Sequence, residues 1–101
     1  MTGALVALAL AATLVLSSPI EASSSEVDGT SFDRAIVIDK TNTRDGIAAE
    51  YEHLRRAYPG WSRSRQALVQ HERRRYDVLT IVSPRGEEKQ VFFAIDAFFG
   101  R

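Results

Sequence analysis

The side chains with the widest chemical range in this chain of 101 residues are two acids, two histidines and a run of arginines. Asp77 and Asp96 both sit in apolar surroundings, Tyr76-Asp77-Val78-Leu79 and Ala94-Ile95-Asp96-Ala97. Two carboxyls buried together with split pKa values can divide general acid and base work between them. The structural alternatives are that Asp77 faces solvent across a sheet, that Asp96 caps the terminal turn Ala97-Phe98-Phe99, or that an acid pairs with Arg74 or Arg75. His53 and His71 are the only histidines, and they show neither HxH nor HExxH spacing. Both therefore read as surface or half-buried structural residues rather than metal ligands. With no Cys there is no thiolate ligand, no Cys nucleophile and no disulfide. The chain also lacks GxSxG, GxxxxGK[ST] and GxGxxG, so neither a serine triad nor a nucleotide loop is supported. The residues thus assign no catalytic, metal or cofactor site, and no cofactor is expected.

The arginines carry the one visible binding signal. Of the 13 basic residues 11 are Arg, and Arg73, Arg74 and Arg75 are consecutive. Guanidinium groups pair well with carboxylate and phosphate. The functional reading is an anionic partner, such as an acidic protein face, a phosphorylated glycolipid or a polyanion; the alternative is a solvated hairpin. Formal charge balances at zero, which argues against a nucleic-acid binder. Trp61 lies at an element end and either anchors an interface or plugs the open end of the core. Candidate partner-binding residues are Arg73, Arg74, Arg75 and Trp61.

The elements that must position these residues begin with Phe32–Asp39, whose Ala35-Ile36-Val37-Ile38 core reads as a strand. Lys40-Thr41-Asn42 is a turn. A helix follows, capped by Asn42 or Thr43, with Asp45 in its first turn. Ile47, Tyr51, Leu54 and Tyr58 form its apolar stripe, widened by Ala48 and Ala57. Glu50, Glu52, His53, Arg55 and Arg56 are placed on the opposite, solvent face. Pro59-Gly60 ends the helix. Trp61–Arg65 reads as an irregular connection and Gln66–Glu72 as a second strand, with Arg73-Arg74-Arg75 leading onward. Tyr76–Ser83 is a clear strand with Leu79 and Ile81 on one face. Pro84–Glu87 is a turn, Glu88–Asp96 the last strand, and Ala97–Arg101 one helical turn. The order β-α-β-β-β predicts a two-layer α+β domain, one helix on a mainly antiparallel sheet. One helix cannot cover both sheet faces, so the apolar surplus at Leu68, Leu79, Ile81 and Phe92 points to a partner.

The first segment reads as an export signal. Ala4–Leu16 is an apolar run of thirteen residues broken only by Thr13. That length suits a signal-peptide core and falls short of the ~20 residues needed to span a bilayer. Cleavage after Ala22 leaves 79 residues with net charge +1. The predicted organisation is a signal peptide over 1–22, a Ser-rich flexible linker over 23–31, and one domain over 32–101. Retention of the segment as an anchor is the alternative. Domains of that size rarely gain more than about 3–5 kcal/mol from one core, so packing, a partner or self-association must supply the rest.

Ala35–Asp39, Glu50-Tyr51, Tyr76-Asp77-Val78 and the closing Phe92–Gly100 together resemble small exported bacterial domains of unknown function. The layout is also similar to PepSY-like and other small inhibitor or binding domains, which implies a fold and no residue role. The function expected is a non-enzymatic, exported protein-binding or inhibitor-like module, periplasmic or secreted. Its partner is a protein of the bacterial envelope or an anionic surface. The alternatives are a self-assembling envelope protein and, third, a small enzyme using His71, Asp77 or Asp96.

Overall fold

The structure is a computed structural model, and it describes residues 27–101. The predicted signal segment 1–22, and residues 23–26 of the predicted linker, lie outside the described residues. The elements are β1 (Ile36–Val37), α1 (Thr43–Ala57), β2 (Ser62–His71), β3 (Arg74–Val82) and β4 (Glu88–Ala94). One helix packs on a four-stranded, mainly antiparallel sheet, the α+β arrangement expected. Strand order is β1-β4-β3-β2, with β2, β3 and β4 antiparallel and the short β1 parallel to β4.

Helix α1 starts where Asn42 leaves the helical region at φ −142°. Its Oδ1 accepts the Asp45 N–H at 2.9 Å, which satisfies one of the free donors of the first turn. Asp45 near the start and Arg55 and Arg56 near the end complement the helix dipole. The fully buried line along α1 is Gly46, Glu50 and Leu54, three positions four apart. That line corrects the predicted helix orientation. Glu50 and His53, assigned to solvent, face the sheet: Glu50 is 0% exposed, and the His53 ring stands edge-on to Phe93 at 5.7 Å. A stripe of apolar residues misplaces the helix because its most buried positions are a glycine and an acid.

The main core lies between α1 and the sheet. Leu79 and Ile81 of β3 meet Val91 and Phe93 of β4, with Ile38, Leu54, Ile95 and Phe98 around them. Full burial of such side chains stabilises by about 1.5–3 kcal/mol each. Phe98 arrives because Ile95 O accepts both Phe98 N (3.1 Å) and Phe99 N (2.9 Å), folding the chain end back. Its ring packs on Gly46, where a Cβ would lie 2.3 Å from it.

The other face of the sheet has its own cover. Phe32 stacks on His71 at 4.0 Å and stands edge-on to Tyr76 and Phe92, each at 4.9 Å. Ala35, Tyr76, Val78 and Ala94 are buried beneath it. Gly29 O accepts the Phe92 N–H at 2.8 Å, so the chain is fastened to β4 within the stretch the sequence leaves in a linker. The expected apolar surplus is thereby corrected. Leu79 and Ile81 lie under α1, Phe92 belongs to the second cluster, and Leu68 alone stays open at 59% exposure.

Strand boundaries also differ, and β4 ends at Ala94 rather than Asp96 because Ile95 O turns back to accept Phe98 N and Phe99 N. Phe32–Arg34 is a turn, with Arg34 N donating to Ser31 O, and only Ile36–Val37 of the predicted first strand pairs. Trp61–Arg65 is not an irregular connection: β2 begins at Ser62, and a bulge between Arg63 and Arg65 hides the alternation. The turn after β2 is only Glu72-Arg73, both with positive φ (49° and 69°), so Arg74 and Arg75 belong to β3.

Candidate functional site

Asp77 lies on β3, opposite Leu68 of β2 and Phe93 of β4. Alternation puts it on the same face as Leu79 and Ile81, under α1. It is 5% exposed, which corrects the solvent-facing reading. The second acid of the pair is Glu50 from α1, not Asp96. Neither Glu50 oxygen meets a hydrogen-bond donor; what faces it is the Asp77 carboxyl. Two carboxyls can bond only if one keeps its proton. Burial first, then the hydrogen bond to Asp77, then the neighbouring charge push the Glu50 carboxyl up to about 9. Glu50 therefore stays protonated at neutral pH, with its carboxyl beside that of Asp77.

The pair is closed on the Glu50 side and opens on the Asp77 side into a cleft of about 310 Å³. Thr43 and Ile47 of α1, Leu68 of β2, and Phe98 and Phe99 of the terminal turn form its walls. The site is therefore a hydrogen-bond acceptor at the base of a largely apolar slot. Among the described residues no group of three or more His, Asp or Glu could hold a metal ion.

The second feature is the free edge of β2. The Glu72-Arg73 turn makes His71 and Arg74 a hydrogen-bonded pair, and such pairs then alternate along the ladder. Arg75 O, which accepts the Ile95 N–H at 3.0 Å, points away from β2 and fixes the same phase. Gln66, Leu68 and Gln70 consequently turn both backbone groups outward, to an edge that no described strand pairs with. Nearly the whole of β2 is exposed. Edges are usually blunted by bulges or charges. Here the bulge and Arg63 and Arg65 guard one half, and the half from Gln66 to His71 carries neither Lys, Arg nor Pro.

The four residues singled out by sequence do not form one patch. Arg73 sits exposed at the hairpin tip. Arg74 Nε donates to Asp96 Oδ2 at 2.9 Å, and Asp96 Oδ1 accepts the Arg75 N–H at 3.0 Å. The Arg74 guanidinium holds the Asp96 carboxyl below the usual carboxylate range. Asp96 thus ties the terminal turn to β3 instead of serving a carboxylate pair. The Arg75 guanidinium lies over Phe99 at 4.7 Å. Trp61 is half-buried against Tyr58 at 5.6 Å, at the opposite end of β2, about 33 Å away for ten extended residues. His71 is held under Phe32 and His53 against Phe93. Burial, then the Arg56 charge, lowers the His53 pKa.

Sequence reasoning missed Glu50, although two signals existed. Gly46, Glu50 and Leu54 recur at four-residue spacing, and Asp77 shares strand parity with Leu79 and Ile81. Comparison of the chain with family models, with curated proteins and with solved structures returns no match.

Proposed function

We propose that the chain is a non-enzymatic, exported protein-binding module of the bacterial envelope that takes an extended, acidic segment of its partner along the edge of β2. The observation that supports this reading is the exposed edge itself, with Gln66, Leu68 and Gln70 presenting outward backbone groups. A strand added there gains main-chain hydrogen bonds, and alternate side chains supply selectivity.

The acidic character follows from the charges flanking the edge. Arg63 and Arg65 lie on the first half of β2, Arg73 shares its hairpin tip with the exposed Glu72, and β2 itself contains no acid. Glu88, 3.6 Å from Arg65, is an exposed and weak local partner. Pairing with a second copy would set one basic strand against another, which favours a different, acidic chain.

The test uses a blocked ten-residue peptide of alternating valine and glutamate, read by backbone amide shifts, with sedimentation alongside. The reading expects saturable shifts centred on Gln66, Leu68 and Gln70, weakened by salt. The same peptide with lysine for glutamate should bind much less. Equal binding of both peptides, or no shift along β2, overturns the reading. A dimer that masks β2 puts a second copy in the partner's place and overturns it too.

A further inference from the structure

Among the described residues, Glu50 and Asp77 are the two buried acids, both inside the helix–sheet layer, and their cleft opens beside the edge where a strand would add. Glu50 is fully buried with no donor other than its own proton, and Asp77 is 5% exposed at the foot of the cleft. Asp77 is thus a nine-tenths buried acceptor with an apolar slot leading to it, and a donor entering that slot would meet it. Resting on the strand-addition reading above, we propose that this cleft receives a basic side chain from the incoming strand, at the position opposite Leu68, with the cation on Asp77.

The geometry of a sheet supplies the reach. Leu68 and Asp77 are direct partners on β2 and β3 and share the helix-side face. Leu68 is an outward-bonding position, so the added residue opposite it shares that face as well. Two strand spacings separate that residue from Asp77, about 9–10 Å. A lysine or arginine stem crosses such a distance by lying over apolar surface and placing its charge at the far end. Leu68, 59% exposed, is the surface it would lie on, and Phe99, 38% exposed, is the wall beside it. An acid in this position would meet Asp77 as a like charge, and an apolar residue would bring the carboxylate no donor.

The site also fixes register. A strand that slips by one residue turns every side chain to the wrong face. In antiparallel pairing, the residue opposite Arg65 lies three positions after the one opposite Leu68. A basic residue followed three positions later by an acid then satisfies Asp77 on one face and Arg65 on the other. Arg75 lies over Phe99, a wall of the cleft, and is a cation that competes for the slot. Its replacement by Ala should tighten binding.

The experiment compares the valine–glutamate peptide with two versions, one carrying lysine and one norleucine at a central valine. The lysine peptide should bind about tenfold or more tighter than the norleucine peptide, as a charge-assisted hydrogen bond in a desolvated site does. In Asp77→Asn the difference should vanish, and the asparagine oxygen remains an acceptor beside Glu50. Equal affinities, with β2 amides shifted by both peptides, overturn the cleft proposal and leave strand addition standing. Absence of β2 shifts with every peptide overturns strand addition itself. Should Asp77→Asn fail to fold, the lysine-to-norleucine ratio on the native protein still decides.

Discussion

Glu50 makes the fold of this domain depend on pH. Its carboxyl sits near 4.5 in the unfolded chain and near 9 in the folded one, so between those values the native state binds the extra proton. Stability is then highest near and below pH 4.5 for this group and falls as pH rises to about 9, by at most about 1.4 kcal/mol per pH unit. His53 acts in the opposite sense: its lowered pKa favours the native state above pH 6.5 and removes that gain as pH falls. Glu50→Gln keeps a donor beside Asp77 and cannot ionise. Denaturant titrations at pH 5, 7 and 9 should show the variant gaining on the parent at each step upward; parallel curves would place Glu50 in water. Gly46 gives a second test at this scale. Helix propensity favours Ala by about 1 kcal/mol. The Phe98 ring occupies the space its Cβ needs, so Gly46→Ala should instead lose about 1–3 kcal/mol by chemical denaturation.

At the scale of elements, α1, β3 and β4 were legible, and for one reason. Asn42, Pro59-Gly60 and the Pro84–Glu87 turn punctuate them, and their periodicity is carried by large apolar residues. β2 was legible only from Gln66 onward, because the Arg63/Arg65 bulge breaks the alternation and an exposed edge strand imposes little apolar pattern. β1 was overread because Phe32 and Ala35 are apolar for another purpose: they cover the second sheet face. The candidate site was legible in half. Asp77 stood out as an acid in an apolar strand, while Glu50 was hidden among the helix charges, where patterning assigns every acid to solvent. The same phase argument that exposes Gln66, Leu68 and Gln70 turns Ala67 inward to β3. Proline substitution reads this directly. Ala67→Pro removes a ladder hydrogen bond and should cost about 1–3 kcal/mol. Gln70→Pro removes only an outward N–H and should cost less than about 1 kcal/mol while abolishing peptide binding. Similar losses from both would refute the phase.

For the whole molecule, the decisive feature is that the chain itself covers both sheet faces over β3 and β4, while β2 stays exposed. α1 covers one face, and the segment leading into β1 covers the other through Phe32. A small Cys-free domain has little stability in reserve, so this cover matters. Phe32→Ala should lose about 2 kcal/mol in thermal or denaturant unfolding, less than the ~3–5 kcal/mol of a fully buried Phe because this ring is half-buried. The variant should also expose Tyr76 and Phe92 to a hydrophobic dye. Of the two outer edges of the sheet, β2 offers ten residues and β1 two, and the β2 edge is the surface that the strand-addition proposal uses. Amide hydrogen exchange along β2, measured on the protein alone and with the valine–glutamate peptide, tests that proposal most directly. Fast exchange at Gln66, Leu68 and Gln70, alternating with slow exchange at Ala67, Val69 and His71 and becoming slow throughout when peptide is added, is the predicted result. Uniform protection in the free protein, or outward amides that stay fast under saturating peptide, would contradict it.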